Sequence, residues 1–173
     1  MDTYPEGARR GPETRQPNET SGAVTVKKPA TKTKKSNIED QHQIALMKWA
    51  AITRMPRLTG VEPGAFVADY LIHIPNGGSR HLFEAVKLKA MGAKKGVSDL
   101  LLAIPAGGFS GLWIELKAPY TTSAEKNYPT PEQRAWVARM NAAGYRAVVC
   151  YGWTEAQNQI ARYLNEEQQH DAA

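Results

Sequence analysis

Asp99, Glu115 and Lys117 are the residues of this chain whose types and spacing could do chemistry. They belong to Gly96-Val97-Ser98-Asp99 and Ile114-Glu115-Leu116-Lys117, on either side of Pro105-Ala-Gly-Gly-Phe-Ser-Gly111, a cluster of turn residues. The apolar runs at 97–104 and 112–116 that flank this cluster predict a strand, a loop and a strand. Side chains alternate along a strand, so Trp113, Glu115 and Lys117 share one face while Leu112, Ile114 and Leu116 share the other. A hairpin symmetric about Gly107 sets position 99 opposite position 115, and directly opposed residues hold their Cβ atoms about 4.5–5.5 Å apart. Two carboxylates so close repel each other in apolar surroundings, and a divalent cation between them removes that cost. Such a cation, Mg²⁺ or Mn²⁺, activates water and stabilises charge on a phosphoryl oxygen, while the Lys117 ammonium orients the water or offsets the developing charge. Glu-x-Lys alone also describes an exposed hairpin with a weak surface ion pair. Gly-Val-x-Asp sixteen residues upstream favours the metal site.

The surrounding elements must hold that hairpin in place. Asn37 can cap a helix, Glu39 and Asp40 suit its first turn, and Ile44, Ala45, Met47, Trp49 and Ile52 give it apolar surface up to Pro56. Residues 57–65 read as a loop and 66–74 as a strand or irregular extended run; Pro75-Asn-Gly-Gly78 then turns the chain into a second helix over about 79–91. Arg80, Lys87, Lys89, Lys94 and Lys95 stand against one acid, Glu84, over 80–95, which makes a candidate phosphate track; any single lysine reads better as part of a solvated face. After the hairpin, 118–128 is a polar loop whose Tyr120 and Tyr128 could stack on an unpaired base. Thr130-Pro131-Glu132-Gln133 opens a helix with a capping threonine, proline first and glutamine third. Gln133 completes a capping box, yet it also lies on the face of Trp136, Val137 and Met140, so its amide can reach the edge of the metal site. Gly144 ends this helix, 145–151 supplies another strand, and Thr154-Glu-Ala-Gln157 starts a last helix with Ile160, Tyr163 and Leu164 inward. The order is helix, strand, helix, strand, strand, helix, strand, helix: an α/β chain with a mixed sheet flanked by helices.

Gly96-Val97-Ser98-Asp99, Ile114-Glu115-Leu116-Lys117 and Thr130-Pro131-Glu132-Gln133 together resemble the virus-type replication-repair nuclease (VRR-NUC) domain of the PD-(D/E)XK nuclease superfamily. The resemblance covers about residues 37–165. It implies a restriction-endonuclease-like αβββαβ core and a metal-dependent DNA endonuclease in which Asp99, Glu115, Lys117 and Gln133 are catalytic. It implies Mg²⁺ (or Mn²⁺) held by Glu39, Asp99, Glu115 and the backbone carbonyl of Leu116, and it raises Arg80, through Pro75-Asn-Gly-Gly-x-Arg80, above an incidental charge. Small stand-alone, phage-like relatives act on branched DNA such as four-way junctions, often as dimers, so branched DNA and a homodimer are implied as partners. Apolar residues around much of the first helix, including Ile38, Leu46, Met47, Trp49 and Ile52, agree with a dimer. A competing reading is a nucleic-acid-binding module of the same fold that does not cut. A purely structural domain leaves Asp99, Glu115 and Lys117 unexplained.

Composition bounds these readings. With 173 residues, 42% apolar and 23% charged, one globular domain with a sizeable core is expected. The single cysteine, Cys150, sits in an apolar run and fits a reducing compartment; no stretch approaches the ~20 apolar residues of a membrane span, so a cytoplasmic protein is expected. Residues 1–36 hold little that could form a core and read as a disordered basic tail, with 37–165 as the nuclease-like domain and 166–173 as a frayed end. Eight Lys or Arg against four Asp or Glu give that first tail +4 of the chain's formal +5, and Lys27-Lys28 through Lys35 reads either as a phosphate-binding arm or as a solvated linker. The sequence has no Gly-x-x-x-x-Gly-Lys-Ser/Thr loop, which argues against a nucleotide-driven motor, and its four histidines lack zinc-ligand spacing.

Overall fold

The computed structural model describes residues 32–75 and 82–165, with the side chains of 32–36 and 82–85 left aside. In chain order the elements are α1 (Lys32–Ile52), a short 3-10 turn (Val67–Asp69), β1 (Leu71–His73), α2 (Leu82–Ala90), β2 (Leu100–Leu102), β3 (Leu112–Lys117), α3 (Pro131–Ala142), β4 (Arg146–Tyr151) and α4 (Trp153–Asn165). The sheet order is β1-β2-β3-β4, antiparallel through the first three strands and parallel between β3 and β4. A parallel pair needs a long crossover, and α3 supplies it. This is the expected mixed sheet with flanking helices.

The hairpin has the expected register. Leu100 pairs with Ile114, Leu101 with Trp113 and Leu102 with Leu112, all symmetric about Gly107. Gly107 and Gly108 have φ of 57° and 80°, which only glycine adopts freely, and they close the turn between the paired Ala106 and Phe109. Leu112, Ile114 and Leu116 point into a core with Leu46 and Ala50 of α1, Leu100 and Leu102 of β2, and Ala156, Ile160, Tyr163 and Leu164 of α4. The Tyr163 hydroxyl donates to the Ile104 carbonyl at 2.7 Å and accepts the Ala106 N–H at 3.1 Å, so the core's largest buried side chain also pins the hairpin loop. Helix α3 lies on the other face of the sheet, where Trp136 meets Trp113 edge to face.

Several local expectations are corrected. Helix α1 starts at Lys32, so Asn37 lies within it and caps nothing; the lysines at 32, 34 and 35 are good helix formers and extend it toward the N-terminus. Strand β2 is three residues long, against the expected 97–104. Over 66–74 the extended run is broken between Phe66, which bridges to Arg54, and β1, because the Asp69 carboxylate takes the Phe66 N–H at 2.7 Å and folds 67–69 into the 3-10 turn. Helix α4 begins at Trp153, after Gly152 with φ 84°, so Thr154 sits in its first turn and does not cap it. The Trp153 N–H donates to Nδ1 of His42 at 3.2 Å. Residues 57–65 are a loop, as expected, and its Leu58, Val61 and Ala65 pack on the core. Arg80, residues 1–31 and residues 166–173 lie outside the described residues. Among the described residues no helix is long and apolar enough to cross a membrane.

Candidate active site

Just before β2 begins, a side chain takes over from the backbone. Asp99 stands one residue before the strand, and its Oδ2 accepts the Leu116 N–H at 2.9 Å, in the place where a longer β2 would have offered a carbonyl. The register, extended by one residue, sets Asp99 opposite Glu115. Strand β3 carries Glu115 with no exposed surface and Lys117 with 7%, and Lys117 Nζ lies 2.7 Å from Glu115 Oε1. The pair is therefore a buried one, where the solvent screening that makes surface pairs weak is lacking.

Gln133 joins this pair to α3. Its Oε1 accepts the Thr130 N–H at 2.8 Å, and Thr130 Oγ1 accepts the Gln133 N–H at 3.3 Å, which completes the capping box. The same amide donates through Nε2 to Glu115 Oε1. The two roles open to Gln133 in the sequence are thus filled by the two ends of one amide. Glu115 Oε1 receives both Lys117 and Gln133, whereas Glu115 Oε2 is buried without a hydrogen-bond partner.

The electrostatics follow from that arrangement. Burial, and next the charge of Asp99, push the Glu115 carboxyl up to about 7, against the opposing pull of Lys117. Burial also raises Asp99, although the Leu116 N–H and Lys117 hold it back. Burial works against the Lys117 ammonium, but Glu115, Glu39 and Asp99 outweigh it and the net shift is upward. Lys117 is held as a cation, and the carboxylate pair resists carrying two full charges.

Glu39, Lys95, Asp99, Lys117 and Gln133 all border one cleft of about 330 Å³. Glu39 reaches it from α1, where its Oε1 accepts the Ala118 N–H at 3.3 Å and Asn127 Nδ2 at 2.9 Å. Among the described residues no three Asp, Glu, His or Cys side chains converge as a metal-binding group, so Glu39 borders the cleft without completing a three-carboxylate cluster. A model of the VRR-NUC domain matches residues 37–154. The chain belongs to the VRR-NUC family. A solved structure named as a VRR_NUC domain protein is similar, with 31% identity, 73% of this chain and 87% of that one covered, and a TM-score of 0.58. A search of curated proteins found no match. A nuclease-type function, with DNA as the substrate, accompanies the family.

Within this VRR-NUC domain the basic residues divide. Lys95 lines the cleft, while Lys87, Lys89 and Lys94 are exposed outside its lining. Two contacts beyond the reach of the sequence shape the site. Asn127, in the loop after β3, bonds a residue 88 positions away. Gly96 has φ 77°, and a Cβ there would lie 2.5 Å from the backbone carbon of Glu132, so the loop that presents Asp99 can touch the first turn of α3 only through glycine. Gly96 was visible as part of the motif; its packing role was not.

The oxygens that could hold a hard divalent cation are the Asp99 carboxylate, which lines the cleft, and behind it the buried Glu115 Oε2 and the Leu116 carbonyl. The last follows from strand geometry, since a residue's N–H and C=O face the same edge and the Leu116 N–H faces Asp99. This donor set fits Mg²⁺ or Mn²⁺, which take one or two carboxylates and fill the remaining positions with water.

Proposed function

We propose that this protein is a metal-dependent DNA endonuclease that hydrolyses phosphodiester bonds in branched DNA. The observation that carries the reading is Glu115 Oε2, a buried carboxylate oxygen without a donor, opposite a second carboxylate and beside a buried lysine. A cation of the Mg²⁺ or Mn²⁺ type, held by Asp99, Glu115 and the Leu116 carbonyl, would supply charge neutralisation at the phosphate and lower the pKa of water. The chain's own residues do the rest. Lys117, fixed by Glu115 and kept protonated, stabilises the negative charge that develops during attack and orients the nucleophilic water. Gln133 holds the Glu115 carboxylate in one rotamer, which leaves Oε2 directed away from its two donors. Glu39 adds negative charge at the border of the cleft and ties down the loop after β3, and Lys95 offers a contact for substrate phosphate.

The branched substrate and a homodimer form one linked proposal. Resolving a four-way junction takes two symmetric incisions, and a twofold pair of identical sites supplies them. Ile44 and Ile52 are 55% and 78% exposed, and their eight-residue spacing sets them on one side of α1. Light scattering with and without junction DNA checks this, and a monomeric mass in both cases removes the dimer. The catalytic reading is tested with four-way, flapped, single-stranded and blunt duplex DNA in Mg²⁺, Mn²⁺ or EDTA. Asp99→Ala is expected to lose cleavage in every metal while binding DNA as the parent does. Near-parental cutting by Asp99→Ala in Mg²⁺ would overturn the assignment.

A further inference from the structure

Beside the cleft, the loop after β3 carries an arrangement that the catalytic reading leaves unused. Lys126 Nζ lies 4.9 Å from the ring centre of Tyr120, 5.1 Å from that of Tyr128 and 4.7 Å from that of Tyr151. Tyr120 and Tyr151 meet edge to face at 4.9 Å. Three tyrosines thus surround one ammonium, which has no carboxylate partner among the described residues. A hydrogen bond to Tyr120, followed by weaker influences, raises the Lys126 pKa and keeps the charge in place at neutral pH. Two of the rings are open to solvent, Tyr120 at 38% and Tyr128 at 62%.

The position of this cluster is fixed by the site. Tyr151 is the in-register partner of Lys117 across the parallel β3–β4 pair, so the two side chains leave the same face of the sheet from strands ~4.8 Å apart. Asn127, between Lys126 and Tyr128, is bonded to Glu39 at the cleft. Strand and loop therefore hold the tyrosines next to the reacting centre.

We propose that Tyr120, Tyr128, Tyr151 and Lys126 form a subsite for one unpaired nucleotide flanking the scissile phosphate. A nucleotide offers a flat π face and an anion, and the cluster offers exposed rings and a cation that pairs with no carboxylate among the described residues. On entry the base takes the ring faces, and the phosphate takes the ammonium, which moves on a flexible stem. Paired bases keep their faces inside the stack, so the subsite favours DNA in which a base beside the cut is unpaired or unstacked, as in a flap or at a branch point. The inference rests on the nuclease reading for the identity of the neighbouring phosphate.

Fluorescence anisotropy in EDTA tests it without cleavage, using a labelled single strand and a blunt duplex of the same sequence. The double variant Tyr120→Ala/Tyr128→Ala changes exposed residues, and its thermal midpoint is measured alongside to confirm folding. Single-strand affinity is expected to fall by about 5- to 150-fold, the range for losing one stacked base, with duplex affinity within about twofold. Tyr120→Phe/Tyr128→Phe keeps the rings and is expected to retain the affinity. Lys126→Gln is expected to flatten the dependence of log affinity on log salt by about 0.7 for the single strand, one phosphate's worth. Unchanged single-strand binding by the alanine variant overturns the subsite, as does an equal loss on both DNAs. Because binding is read in EDTA, a parent protein that cuts nothing refutes the nuclease reading without touching this result. Conversely, an alanine variant that binds and cuts like the parent removes the subsite alone.

Discussion

The six residues of β3 divide three and three between its two faces, and the faces behave oppositely. Leu112, Ile114 and Leu116 face α1 and α4 and are almost wholly buried in apolar contact. Trp113, Glu115 and Lys117 face α3, whose residues are at most partly buried, and there the strand buries a carboxylate and an ammonium instead. On the first face burial is its own stabilisation, at about 25 cal/mol per Å² of apolar surface removed from water. On the second it opposes the charges, and Glu115 is left with one oxygen unanswered. One face makes the fold stable and the other holds groups that the fold alone would not favour, which is the expected signature of a site whose last partner is not part of the chain.

The sharpest way to separate the faces is to cut one side chain from each. Lys117→Met keeps the strand and most of the buried volume but removes the charge, so single-turnover cleavage at saturating metal is expected to slow by about 10²–10³-fold. Ile114→Ala is expected to cost about 2–5 kcal/mol of stability while leaving cleavage per folded molecule unchanged at low temperature. If Lys117→Met altered metal affinity alone, with the chemical step intact, the lysine's role would be structural and the two faces would differ only in polarity.

Much of this contrast was legible in the sequence because it rests on alternation. The period of two in Leu112 to Lys117 sorted the side chains, and the symmetry about Gly107 gave the register that sets Asp99 opposite Glu115. Gln133 was legible for the same local reason, four residues of capping box beside an apolar face. The burial of the Glu115 and Lys117 pair was not, because it depends on where α3 comes to rest after a crossover. Nor were the bonds from Asn127 to Glu39 and the contact of Gly96 with Glu132, which join segments far apart in the chain. The extra turns of α1 were missed because Asn37 made a plausible cap, while the lysines before it favour helix without marking its start.

A smaller effect tests the cost on the polar face directly. The Glu115 carboxyl, raised from 4.5 to about 7, prefers its proton in the folded state. The stability linked to it is therefore fully present below pH 4.5 and is lost as pH rises through about 7. The shift corresponds to about 3 kcal/mol, and Asp99, also raised, acts in the same direction. In EDTA, the stability of the parent relative to Glu115→Gln is expected to fall between pH 4.5 and 7.5, and Mg²⁺ is expected to reverse part of the loss at the upper end. A parent that gains stability relative to Glu115→Gln over that interval would show that the carboxylate is already well satisfied, and the contrast between the faces would vanish.

The smallest expected effect lies where α3 meets the polar face. Gln133 serves the helix cap through one end of its amide and Glu115 through the other, and two substitutions divide these roles. Gln133→Ala removes both and is expected to cost about 1 kcal/mol from the cap at any pH, with a further loss where Glu115 is ionised. Gln133→Glu preserves a capping box, which accepts either residue at the third position, but exchanges the donor facing Glu115 for a second carboxyl group. At pH 5, where that group can carry a proton and donate it, Gln133→Glu is expected to lie within about 0.5 kcal/mol of the parent. By pH 8 two carboxylates and Asp99 crowd one lysine, so the variant is expected to become the less stable of the two and to bind Mn²⁺ with altered affinity. Equilibrium denaturation of parent and both variants at the two pH values measures this. If Gln133→Glu tracks the parent at pH 8 as well, Gln133 works for the helix alone, and the polar face of β3 is held by Lys117 and Asp99 without help from α3.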